Sequence, residues 1–494
     1  MMSKGSDALM KRKESGLIGS AVIALIGLLL FSMSSPLYPT NPWGDTNCFA
    51  TLGRGMLAGR VPYRDLVEQK GAALYALYAL AMAISPKGFF GVFLLEWLSG
   101  TLFLFISLQT LRLYRPVKTG LLLPIWLITL GSRFFVQGGS AEELCAPIFA
   151  FALYEGLRAE KSENLPASRI LLQGFLAGFV FWVKYTLLGI CFGWAAVMVL
   201  GSKSFRRAAK TAGLYLAGMA AGLFPWCFYL LANGALDDAF RVYLSNNLNG
   251  YTSDIGSVWG IVKNILKGVR KLIRDNPLPA LMAASGTVSL LIRSSARRRV
   301  LLCAAFICGA AFIYFGGRRY DYYGYGLVCF VPLAAVPLSA LADRLKNKLP
   351  RLYRPACGLA LALSAALPLM TNGNVPHMFT PKQELPQTIL AQRMLESDDP
   401  TLLNCGFLDH GFYLATGTLP STKWFCTLNG FIPTCDREHA KLISGGEVEY
   451  VILKDMEMPP QYLPLYREVL TAESHYDPQH LGCVYRLYQR TDTY

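Results

Sequence analysis

Apolar runs recur along this chain at close intervals, and they limit its fold more than any other feature, because a helix needs about 20 mostly apolar residues to cross a bilayer. Allowing shorter runs where neighbouring helices thin the barrier, about eleven spans are expected, over 16–34, 89–113, 119–131, 144–157, 170–183, 185–200, 211–231, 278–292, 300–316, 323–341 and 356–370. Composition points the same way: 53% of the 494 residues are hydrophobic and 16% charged, a balance rarely found in a soluble fold of this length. The expected class is an all-α polytopic membrane protein.

Lys and Arg set the orientation, since cytoplasmic connections retain them and translocated ones do not. Lys11-Arg12-Lys13 precedes the first run, and Arg112, Arg115 and Lys118 follow the second. Lys203, Arg206, Arg207 and Lys210 follow the sixth; Arg293 and Arg297-Arg298-Arg299 follow the eighth; Arg344, Lys346, Lys348, Arg351 and Arg354 follow the tenth. This alternation places the N-terminus in the cytoplasm and, with an odd number of spans, the C-terminal residues outside a plasma membrane. It also divides 170–200 into two short helices hinged near Lys184. The formal charge of +15 resides in those inner loops and not on one folded basic face, so it signals topology, with membrane lipids as partners and no nucleic acid. No small-x-small site follows Ser34, so the first run reads as an uncleaved anchor and not a signal peptide.

Three outer regions remain: 36–87, 233–276 and 371–494. The first holds a helical pattern over 46–57, the turn Ala58-Gly59-Arg60-Val61-Pro62-Tyr63 and an apolar run over 71–84, read as two interfacial helices. The second holds Asp237, Asp238, Arg241, Tyr243, the stretch Asn246-Asn247-Leu248-Asn249-Gly250-Tyr251 and a basic amphipathic segment with Lys263, Lys267, Arg270, Lys271 and Arg274. Lipid headgroups or a phosphate-bearing substrate would each account for basic residues there. The third mixes strand-like runs at 401–408, 450–453 and 483–488 with helical stretches at 387–396 and 437–443, which predicts a small α/β domain. The expected organisation is therefore a transmembrane module over 1–372, with a first outer loop at 35–88, and an extracytoplasmic domain over 373–494. Cys405, Cys426, Cys435 and Cys483 lie in that domain and could pair; the five histidines, His377, His410, His439, His475 and His480, also lie there without zinc-site spacing. The turn Leu408-Asp409-His410-Gly411-Phe412-Tyr413 reads as a packing feature or a reach toward a site.

Ionisable groups at a membrane boundary are costly to desolvate and so nominate function when they cluster on one side. Asp45, in Pro42-Trp43-Gly44-Asp45-Thr46-Asn47, either caps the helix that follows or acts as a base beside Trp43. Glu142 and Glu143 follow Gly138-Gly139; the helix dipole alone favours acids there, and the glycines would let a substrate approach the backbone. Lys70 stands at a helix start, where the dipole opposes a cation and an anionic partner such as phosphate is suited. Arg133, Lys184, Arg318 and Arg319-Tyr320-Asp321-Tyr322-Tyr323 complete a positive rim, each residue alone being equally an interfacial anchor. Such a set suits group transfer in which a carboxylate takes a proton from the acceptor and cations stabilise a departing phosphate. Walker and GxGxxG loops are missing from the sequence, which argues against a cytoplasmic nucleotide donor.

The sequence resembles the bacterial GT-C membrane glycosyltransferases, relatives of the protein O-mannosyltransferases and the lipid A aminoarabinose transferase. The resemblance is carried by Gly44-Asp45-Thr46, by Gly55-Met56-Leu57-Ala58-Gly59-Arg60-Val61-Pro62-Tyr63-Arg64-Asp65-Leu66, by Lys70-Gly71-Ala72-Ala73-Leu74-Tyr75, by Glu142-Glu143 and by Lys184-Tyr185. It implies a polyprenyl-phosphate-linked sugar donor, attack by an acceptor on the outer face and inversion at the anomeric carbon; the sequence leaves a glycan, lipid or protein acceptor open, and no cofactor is expected. Asp45 would match the family's catalytic aspartate, Lys70 its donor-phosphate lysine, and Glu142 or Glu143 its second-loop acid. Arg133, Lys184 and Arg319 are then candidate phosphate ligands, and Trp43, Asn47, Tyr63, Asp65, Tyr320 and Asp321 candidate substrate-lining residues. Two positions depart from the pattern: Gly71-Ala72-Ala73 stands where a proline usually follows the lysine, and Asn47 stands where many members have a second acid. The second departure implies transfer without a divalent cation, which needs more carboxylate oxygens. A lipid-linked-sugar flippase or solute transporter is the alternative from another class, expected to show midplane polar residues and repeated halves.

Overall fold

Each apolar run falls on a helix in the computed structural model, which describes residues 2–159, 165–248, 257–474 and 482–491, with side chains from residue 14. Among the described residues, six helical segments are long and apolar enough to cross a membrane: Glu14–Phe31, Phe90–Arg112, Ala167–Leu187, Phe205–Ala232, Asp321–Lys348 and Pro350–Thr371. Thr119–Leu130, Gly189–Leu200 and Pro277–Arg293 are apolar but shorter. Ala141–Arg158 and Ala296–Tyr314 have the length but carry acids or a run of three arginines near one end. The chain is a multi-pass membrane protein in which these five helices meet the expected pattern without meeting a full span's length or apolarity.

The described chain divides into two compact units, one of residues 1–32, 94–225 and 254–375, the other of residues 33–93, 226–253 and 376–494. In the first, the hinge expected near Lys184 is present: helix Ala167–Lys184 gives way to a 3-10 turn, Tyr185–Leu187, before Gly189–Leu200. Small residues decide how its helices pack. A Cβ on Gly174 would lie 2.0 Å from Tyr215 O and one on Gly178 2.4 Å from Met219 O; reciprocally, Gly218 and Gly222 would meet Leu171 O at 2.1 Å and Phe175 O at 2.2 Å. Gly174-x-x-x-Gly178 thus faces Gly218-x-x-x-Gly222, the close backbone approach that lipid-embedded helices use for lack of a hydrophobic drive.

In the second unit, helices Gly44–Leu57 and Ala72–Ile84 pack at Gly53, whose Cβ would sit 2.7 Å from the backbone of Tyr78 and Ala79. Eight of the thirteen residues of Ala72–Ile84 are buried, so this helix is mainly packed within its unit. The C-terminal part forms a four-stranded sheet of β1 (Leu402–Cys405), β2 (Tyr450–Lys454), β3 (Tyr466–Ser474) and β4 (Cys483–Arg490), in the order β1-β2-β4-β3. Only β1 and β2 run parallel. Helices Pro386–Met394 and Ile432–Ser444 accompany it, and Leu403, Ile443, Val448, Val451, Leu453, Tyr466 and Tyr488 form a buried core. β3 escaped the sequence reading because its apolar residues do not alternate cleanly: charged Arg467, Glu468 and Glu473 interrupt it. Asn249-Gly250-Tyr251, His475 and His480 lie outside the described residues.

Candidate functional site

In the second unit, the segment between the two packed helices is folded into a tight cage around Lys70. Asp65 closes the turn that precedes it, accepting from Val61 N–H at 2.8 Å and pairing with Arg64 at 2.8 Å. The Arg64 hydrogen bond is the main reason its carboxyl is held at about 2, well below the usual carboxylate range. Tyr63 inside this turn adopts φ +70 although it is not glycine. That left-handed backbone, uncommon for a bulky residue, is held by complete burial and by the phenol donating to Lys70 O at 2.6 Å. Glu68 fixes the other side: its Oε2 accepts from Lys70 N–H at 2.8 Å and from the Tyr75 hydroxyl at 2.6 Å. Burial pushes both phenols up, so they remain protonated donors. Asn247 Nδ2 donates to Gln69 O at 2.8 Å, bracing the same strip from the Asn-rich stretch.

So anchored, the Lys70 ammonium lies 3.5 Å from Glu68 Oε1, 3.8 Å from Asp45 Oδ2 and 5.4 Å from the centre of the Phe49 ring. Asp45 belongs to the first turn of helix Gly44–Leu57, whose N-cap is Trp43 with no side-chain cap bond. The capping reading of Asp45 therefore does not describe its geometry; the carboxylate faces Lys70. Trp43 and Asn47 are buried beside it, and Asn47 Nδ2 donates to Asn41 O at 2.8 Å and Trp43 O at 2.9 Å. Gly44 admits the turn around Asp409 to the same helix start, since a Cβ there would lie 2.8 Å from Leu408 Cβ and 3.2 Å from His410 Cδ2. Asp409 is itself buried, accepting from Thr51 Oγ1 at 2.6 Å and Gly411 N–H at 2.9 Å, and burial raises its pKa. This turn therefore packs the C-terminal part onto helix Gly44–Leu57.

The first unit holds a separate acidic group. Ser140 and Glu143 form a reciprocal capping box at the start of Ala141–Arg158, with Ser140 N–H donating to Glu143 Oε1 at 3.0 Å. Glu142, one residue earlier, is 1% exposed and takes an ion pair from Lys184 at 2.5 Å. The Lys184 ammonium also lies 4.9 and 4.2 Å from the ring centres of Tyr322 and Tyr323. The expected Gly138-Gly139 opening is occupied: Glu96 Oε1 accepts from Gly139 N–H at 2.9 Å, and its carboxylate also accepts from Ser32 Oγ. Of the rim, Arg133 and Arg319 are exposed, Tyr320 stacks on Tyr322, and Asp321 pairs with Lys271 of the amphipathic helix Val258–Asp275.

Glu68, Tyr75, Phe49 and Glu96 were missed as site residues. The Glu68-x-Lys70 and Tyr63–Tyr75 spacings hinted at a local cage, whereas Glu96 lies mid-helix with no sequence signal beyond an acid in an apolar run.

The described helices and the small C-terminal sheet together define a mostly helical membrane fold with one four-stranded sheet. Two solved structures share it, ArnT from Cupriavidus metallidurans bound to undecaprenyl phosphate and the same protein in the apo state. Each has a TM-score of 0.60, with 11% and 12% identity, over 94% of this chain and 97% of that one. At this identity the likeness is one of fold. No family model matches the sequence, and no curated protein is similar to it.

Proposed function

We propose that this protein is an inverting glycosyltransferase that moves a sugar from a polyprenyl-phosphate donor to a cell-envelope acceptor on the outer face of the membrane. The observation that carries the reading is the Asp45–Lys70 pair. The Lys70 ammonium lies 3.8 Å from Asp45 and 3.5 Å from Glu68, and the Glu68, Tyr63 and Tyr75 contacts to its backbone set a cation beside the carboxylate proposed as base. In this reading a donor phosphate oxygen binds the Lys70 ammonium beside Asp45. The fold shared with ArnT, whose structure holds undecaprenyl phosphate, supports that class of donor.

In this reading the acceptor hydroxyl attacks the anomeric carbon opposite the phosphate, Asp45 takes its proton, and the bond from that carbon to the phosphate oxygen breaks. Polyprenyl phosphate leaves with the electron pair, its growing charge stabilised by Lys70. No step needs a metal, and Asn47 stands where a second acid would help to hold one. Of the two adjacent acids, Glu143 belongs to its capping box, so Glu142 with its counter-ion Lys184 is the one we keep as a candidate, within the first unit. Residues 1–372 are assigned to the membrane catalytic module and 373–494 to an extracytoplasmic domain.

Reconstitution with polyprenyl-phosphate sugars tests the reading. Asp45→Asn should lose about 10²–10⁴-fold in turnover, the range of general base catalysis, and Lys70→Met should raise KM for the donor. Equal turnover by wild type and Asp45→Asn would remove Asp45 from catalysis. Sugar-lipid translocation with no transfer across a broad donor and acceptor panel would favour a flippase.

A further inference from the structure

Two of the twelve cysteines meet although 378 positions separate them. Cys48, one turn beyond Asp45, and Cys426, in the segment following the Asp409 turn, have their Sγ atoms 3.8 Å apart, and both residues are 1% exposed or less. The backbone on each side is fixed. Thr51 bonds Asp409, Arg54 donates to Tyr413 O at 2.8 Å, and Val67 N–H donates to Lys423 O at 3.1 Å. Asn404 N–H donates to Phe425 O at 3.3 Å, and Thr427 N–H to Phe407 O at 2.9 Å, holding the Cys426 segment from its other edge. A disulfide needs its sulfurs at about 2.05 Å, so the two sulfurs, now 3.8 Å apart, would have to approach by less than about 2 Å.

We propose that Cys48 and Cys426 form a disulfide that pins the helix carrying Asp45 to the C-terminal part of the chain. In the oxidation each thiol gives up one proton and one electron, the S–S bond forms, and a disulfide-bearing thiol oxidase accepts both electrons and both protons to become a dithiol. Burial raises the Cys48 pKa, disfavouring its thiolate, and closes the site to an oxidant. The bond therefore forms while the chain folds, before helix and C-terminal segment close. Long loops gain most from such a link in chain-entropy terms. The inference stands apart from the proposed activity, since a disulfide is compatible with any function that uses this unit.

Full-length wild-type protein is denatured in excess maleimide without reductant, digested and mapped by mass spectrometry. A Cys48–Cys426 linked peptide that vanishes on reduction is expected. With it, reductant should lower the thermal unfolding midpoint of wild type and leave that of the Cys48→Ala/Cys426→Ala double variant unmoved. Alkylation of both thiols without reductant overturns the proposal, whether or not the protein transfers sugar. So does a Cys426–Cys435 link, the competing pair signalled by Cys435 Sγ accepting from Leu428 N–H at 3.5 Å.

Discussion

Breaking the Glu142–Lys184 pair from either side should have unequal consequences. Both side chains are nearly sealed, at 1% and 6% exposure, and removing one partner of a buried pair typically costs about 3–5 kcal/mol because the survivor is left charged and desolvated. Lys184→Met leaves the Glu142 carboxylate with neither its counter-ion nor, at Oε2, any hydrogen-bond partner among the described residues, so the full range is expected. Glu142→Gln leaves an ammonium that still faces Tyr322 and Tyr323, contacts worth about 2 kcal/mol when desolvated. That single change should cost roughly 2 kcal/mol less than Lys184→Met. The double variant, with no charge left to strand, should be more stable than the sum of the singles by about 2–3 kcal/mol, within the span of couplings between contacting residues. Unfolding equilibria in mixed detergent micelles, followed by tryptophan fluorescence for all four proteins, give the coupling directly. Additivity within about 0.5 kcal/mol, or a costlier Glu142→Gln than Lys184→Met, would refute the pairing as the determinant of this site.

The glycine-lined helix contact predicts that Gly178→Leu destabilises the first unit by at least about 1–3 kcal/mol, the usual cost of overpacking, read in the same micelle assay. Gly213→Leu, whose Cβ would meet nothing within 4 Å, should be near neutral by comparison. The Asp65 turn predicts a pH dependence: a depressed folded pKa contributes stability fully present above the ordinary carboxylate value and lost as pH falls toward about 2. Protease susceptibility of the 58–66 turn should therefore rise between about pH 4 and pH 2 in wild type, and Asp65→Asn should flatten that rise.

Much of the membrane architecture is legible in the chain because it depends on local quantities. A run of apolar residues inserts as a helix whatever its eventual neighbours, so the positions of the helices can be read one run at a time. The hinge at Lys184, the helix after Asp45 and three of the four strands follow from equally short stretches. Residue types in the first connection also carried enough pattern to nominate Asp45 and Lys70.

Partnership was decided elsewhere. Asp45 could cap or catalyse on sequence grounds, and only the fold turns it toward Lys70 while Trp43 occupies the cap position. Glu142 and Glu143 are adjacent and alike in sequence, yet one closes a capping box and the other binds Lys184 across 42 positions. The Gly138-Gly139 opening is filled by Glu96, and Cys48 finds Cys426 over nearly the whole chain. The physical reason is the same in each case: hydropathy and charge act along the chain and can be summed residue by residue. A hydrogen bond, ion pair or thiol contact needs atoms within a few ångströms, and that proximity exists only after the helices have packed. By itself the sequence determined that this protein lives in a bilayer and which residues could do chemistry there; the tertiary structure decided which of them face one another.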